Sequence, residues 1–191
     1  MEQQLARDED ITRLIEQLQD PNTKDIATID DLLQAYPQDP RLHFMRGSVL
    51  AEKSDAMEAH AAIKRAVELA PDFVIARYQL GFFELTSGEA DKALSTWGPI
   101  LAMPEDNYLR VFVEGMIYLI RDEFEAAVDS FERGLKLNSE NEPLNNDIRL
   151  LIDKTKDLTN TLHDRRDADG DDDLSATSLI LGHFGGNRTI N

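Results

Sequence analysis

Three glycines, Gly47, Gly81 and Gly115, recur at one constant interval. Ala59, Ala93 and Ala127 keep the same interval, and so do the large apolar residues Ile63, Trp97 and Phe131. Two looser columns run in step: Leu50, Glu84 and Tyr118, then Ala66, Ile100 and Gly134. A fixed period of this length restricts the fold more than any other feature, because each repeat must be one small supersecondary unit that buries its apolar face against its neighbours. Small residues in two columns and bulky ones in a third predict helix pairs that cross closely, with Trp97 and Phe131 filling the space beside the glycines and alanines.

This pattern resembles the tetratricopeptide repeat, a helix–turn–helix of about 34 residues with Gly, Ala, a large apolar residue and Pro at set places. The repeats read as 40–73, 74–107 and 108–141. Pro71 matches the family's proline, Pro104 stands one place early and Ser139 replaces it in the third repeat. The resemblance implies an all-α fold, a right-handed α-solenoid closed by capping helices.

Local signals agree with helix pairs. Asp55 with Glu58, and Asp122 with Glu125, have capping-box spacing. Gly88 and Ser54 fall in the expected turns between first and second helices. Residues 1–39 hold two apolar periodic stretches, 5–19 and 24–36, separated by Pro21-Asn22. Pro37 precedes Pro71 by one full period, so these stretches read as a degenerate repeat. Residues 142–159 carry Leu144, Ile148, Leu151 and Ile152 as one stripe with a polar back, the expected C-terminal capping helix. From residue 160 the composition shifts. Residues 160–191 read as a flexible acidic linker followed by a short apolar tail, Leu174–Phe184, whose anchors are Leu179, Ile180, Leu181 and Phe184.

Charge narrows the function. With 37 acidic and 20 basic residues the chain carries a formal charge of −17, which repels nucleic-acid phosphates and anionic membrane surfaces. The absence of cysteine excludes disulfides, thiolate metal sites and thiol catalysis. A hydrophobic content of 41% is too high for a wholly disordered chain. The N-terminus, MEQQLARDED, has no basic leader or apolar run, and no stretch has membrane-spanning length. A soluble cytoplasmic protein is expected.

The resemblance also implies where partners bind: a concave face lined by the first helix of each repeat, at its second, fifth, ninth, twelfth and thirteenth positions. These are Arg41, Phe44, Ser48, Ala51 and Glu52; then Ile75, Tyr78, Phe82, Leu85 and Thr86; then Leu109, Phe112, Met116, Leu119 and Ile120. The last two sets are apolar on the groove side as well as the packed side. An apolar lining suits an apolar or amphipathic peptide. The expected contact set is Phe44, Ile75, Tyr78, Phe82, Leu85, Leu109, Phe112, Met116 and Leu119. The occupant would be a partner protein or peptide, or the chain's own tail, in cis or across a homodimer. Arg41 is the one cation at these positions, which argues against a clamp for carboxylate tails. In architecture, charge and groove chemistry the chain is also similar to the cytoplasmic chaperones of type III secretion translocators, so a chaperone or assembly factor for an aggregation-prone client is the alternative.

Catalytic and metal chemistry find no foothold. Of His43, His60, His163 and His183, the first two fall on the helices of the first repeat with no evident nucleophile partner in a neighbouring motif, and the histidines read as packing or surface residues. The run from Asp167 to Asp173 superficially matches a calcium loop, but with Gly170 in sixth place the first position is Arg165 and the twelfth Ala176. The glycines at 182, 185 and 186 follow no strand and open no helix. No enzyme activity, cofactor or metal is expected.

Overall fold

The computed structural model describes residues 4–19, 25–53 and 55–166. All regular structure among them is α-helical: α1 (Asp8–Gln19), α2 (Ile26–Ala35), α3 (Pro40–Glu52), α4 (Ala56–Leu69), α5 (Val74–Thr86), α6 (Ala90–Leu101), α7 (Tyr108–Ile120), α8 (Phe124–Leu137) and α9 (Glu142–Arg166). The helices start on a grid. Successive members of the set α3, α5, α7 and α9 begin one sequence period apart, as do those of the set α4, α6 and α8. No helix of the described residues is long and apolar enough to cross a membrane.

The chain divides into two compact units, residues 1–80 and 81–191, with the boundary inside α5. In the first unit, α2 packs on α3 and α3 on α4. Ala6, Ile11, Leu14, Ile29, Leu42 and Val49 form a buried cluster that joins α1, α2 and α3. Gly47 faces Ile63: a Cβ there would lie 3.0 Å from the Ala59 carbonyl oxygen and 3.1 Å from Ile63 Cδ1. Aspartates start three of the helices. Asp25 caps α2 by accepting from the Ala27 N–H, Asp39 caps α3, and Asp55 caps α4 through the Glu58 N–H at 3.5 Å.

In the second unit, α7 lies against both α6 and α8, and α9 against α8. Here the Gly columns meet aromatic rings. A Cβ on Gly81 would fall 2.7 Å from Trp97 Cδ1, and one on Gly115 2.6 Å from Phe131 Cδ1. Trp97 and Phe131 are fully buried. The α8–α9 joint is fixed by two buried asparagines. Asn138 donates to Asn145 Oδ1 at 2.9 Å, and Asn145 donates to the Asn138 carbonyl at 2.9 Å. Buried amides need such partners.

Two expectations change. The turns between α5 and α6 and between α7 and α8 use a left-handed residue, Gly88 (φ 82°) and Asp122 (φ 57°). Asp122 is therefore not a cap. α8 starts after Glu123, whose side chain makes no capping hydrogen bond. Ser54, the other expected turn residue, lies outside the described residues. The second change is at the C-terminal helix, which continues past 159 to Arg166, so the linker does not begin at 160. The next residue in the column of Gly88 and Asp122 is Lys156, which stays helical, and neither Gly nor Pro occurs between Pro143, in the first turn, and Gly170. α6 holds 12 residues where α4 and α8 hold 14. Pro99 lacks an N–H and crowds the preceding turn, so the helix ends two residues later.

Candidate interaction surface

In the first unit, the residues expected to line a groove have unequal exposure. Phe44 is half-buried, with its ring 5.2 Å from that of Phe73 and tilted by 59°. Ile75 is also half-buried, whereas Tyr78 is buried. Arg41 is consumed by the protein itself. Its guanidinium donates to both Asp39 carboxylate oxygens, to Asp8 Oδ1 at 2.7 Å and to the Ala6 carbonyl at 2.7 Å. Asp39 also accepts from the Ala6 and Arg41 backbone N–H groups. Burial alone would raise the Asp39 carboxyl; Arg41 and the two N–H donors outweigh it and hold the carboxyl below its ordinary 3.8. This arrangement ties the segment before α1 to the start of α3, and it leaves Arg41 committed to acids of this chain.

In the second unit, Phe82 is half-buried and Leu85 is buried. Leu109, Phe112, Met116 and Leu119 are also buried, the last three completely. No residue of α7 is exposed. Phe112 faces Gly134 of α8 and stands edge-on to Tyr108, with ring centroids 5.9 Å apart. Of the nine expected contact residues, the ones with accessible surface are therefore Phe44, Ile75 and Phe82; the other six belong to the interior. The apolar tail residues Leu179, Ile180, Leu181 and Phe184 lie outside the described residues.

Several polar features escaped the sequence reading. His43 pairs with the Pro37 carbonyl at 2.9 Å, and Arg77 donates to the Pro71 carbonyl at 2.6 Å. Both pairs sit at equivalent places of the repeat pattern, so a side chain in the first turns of a first helix braces the turn before it. The matching prolines and the positions six residues on were a readable signal. Glu84 occupies the column held by Leu50 and Tyr118 yet is 3% exposed, and its Oε2 has no hydrogen-bond partner. Its other oxygen lies 3.5 Å from Lys92 of α6. Among the described residues, no group of three or more His, Asp or Glu could hold a metal ion; the acidic run 167–173 lies outside them.

Electrostatically, the basic side chains of the second unit are largely committed. Arg110 and Arg133 both hold Glu114, Lys92 holds Glu84 and Glu89, Arg149 holds Glu142, and Lys156 holds Glu132. Such surface pairs contribute little to stability, but they leave the excess acids to dominate the field around the protein. The chain matches no protein-family model and none of the curated proteins.

Proposed function

We propose that the chain is a non-enzymatic interaction module of tetratricopeptide type, which takes an apolar or amphipathic segment of a partner protein. One observation carries this reading: seven helices begin on two grids of the same period, with a glycine of each first helix against a bulky residue of the second. Stacked helix pairs of this kind commonly present extended surfaces to partners rather than catalytic clefts. In this reading each unit is taken by itself, with Phe44 and Ile75 as contact residues of the first and Phe82 as that of the second. Aromatic and aliphatic side chains that are already partly ordered give large contact area at low entropic cost.

The test is a selection of displayed short peptides on the full chain, repeated with the 167–191 truncation and with Phe44→Glu and Phe82→Glu. Enriched peptides with apolar residues at helical spacing, which lose binding to either charge variant while helicity is kept, support the proposal. Enrichment that grows on truncation identifies the tail as a competing occupant of the same surface. Selected peptides indifferent to both variants, or no enrichment by either chain, overturn the proposal.

A further inference from the structure

The turns α6–α7 and α8–α9 enclose a surface cleft of about 320 Å³ in the second unit, and none of its lining residues belongs to the expected groove positions. Pro104, Tyr108 and Leu137 give it apolar surface; Asp106 and Glu140 are acidic. Leu137 is 40% exposed, one of the few large apolar side chains open to solvent among the described residues. Asp106 and Glu140 are exposed and form no ion pair among the described residues, and no lysine or arginine lines the cleft. Glu105, just outside, is almost fully exposed and only 3.9 Å from Arg110.

The start of α7 also borders the cleft, and a helix N-terminus ordinarily favours an anion. Here that option is closed. Asn107 Oδ1 accepts from the Leu109 and Arg110 N–H groups at 3.0 and 3.2 Å, and two carboxylates already stand at the rim. The Tyr108 phenol is held above its ordinary 10.0, first by burial and then by the charge of Glu140. A tyrosine, an exposed leucine and two carboxylates in one lining complement one kind of group, an alkyl stem that ends in a cation. The stem covers Leu137, and the head lies near the Tyr108 ring and the two acids.

We propose that this cleft docks a lysine or arginine side chain of a basic partner protein. The surrounding negative field would speed the approach of such a partner. The cleft is a second contact point, independent of the surface proposed above.

The test uses tetralysine as the probe and the full ¹⁵N-labelled chain, followed by amide chemical shifts. Saturable shifts at Asp106, Asn107, Tyr108 and Leu137–Glu140 are expected. Asp106→Asn with Glu140→Gln should weaken them about tenfold. Asp129→Asn with Asp153→Asn, which removes two exposed acids elsewhere, should leave them unchanged. Leu137→Ser should also weaken them, because the stem loses its apolar contact. Equal loss in both double variants would mean that the probe reads net charge alone. That result, or no saturable shift at these residues, would overturn the proposal.

Discussion

Phe112 on α7 rests its ring against Gly134 on α8, in space that a side chain at 134 would occupy. The reverse contact lies alongside it, with Phe131 of α8 against Gly115 of α7. The two helices thus exchange a ring for a glycine in both directions, which brings their backbones close and leaves both rings fully buried.

Alanine at either glycine should therefore destabilise, although alanine is the better helix former by about 1 kcal/mol. Overpacking costs about 1–3 kcal/mol at such sites, and at Gly115 the new Cβ would meet Phe131 Cδ1 at 2.6 Å. Gly98 is the internal control: it is exposed, and a Cβ there meets nothing within 4 Å. Urea midpoints should fall for Gly115→Ala and Gly134→Ala and hold or rise for Gly98→Ala. A rise in all three would mean that the rings move aside at no cost.

Glu84→Leu should stabilise by about 1 kcal/mol. The substitution restores the residue that the first repeat places in this column, Leu50, and removes a buried carboxylate oxygen that lacks a partner. Lys92 is about half exposed, so it returns to water and keeps Glu89. Thermal melts of Glu84→Leu and Glu84→Gln separate the effects: the glutamine variant still buries a polar group and should gain less.

The two left-handed turn residues should respond oppositely to substitution. Gly88→Ala places a Cβ at φ 82° and should cost about 1 kcal/mol, whereas Asp122→Gly relieves φ 57° and should gain a few tenths to about 1 kcal/mol. Chemical denaturation of the two variants decides this. A loss at Asp122→Gly would show that its side chain does more than tolerate the turn.

Asp39 couples stability to pH. Its carboxyl sits below its ordinary 3.8 in the folded protein, so the folded state favours the ionised form. That contribution is fully present above the unfolded value and is lost as pH falls through the folded value, below about 4. Asp39→Asn should destabilise at neutral pH and flatten the fall in stability between about pH 5 and pH 2. Denaturant titrations across that range test it; an unchanged slope would assign the acid sensitivity to other carboxylates.

Where helices begin was already legible in the chain. The columns of Gly47, Gly81 and Gly115 and of Ile63, Trp97 and Phe131 place one helix against the next because size complementarity at a crossing is written in the two residues that meet there. The structure finds those residues in contact, and helix starts follow the same interval. Burial was not legible in the same way. The resemblance assigned Phe112, Met116 and Leu119 to the groove side of α7, but whether a face is open depends on what covers it, and α7 has no exposed residue. Nor could spacing alone show that Arg41 binds the distant Asp8, since a charged side chain takes whichever partner the packing of α1 and α3 brings within reach. Asp122 makes the same point at one residue. As an aspartate it suits a cap or a left-handed turn equally, and only the path of the backbone from α7 into α8 chose the turn.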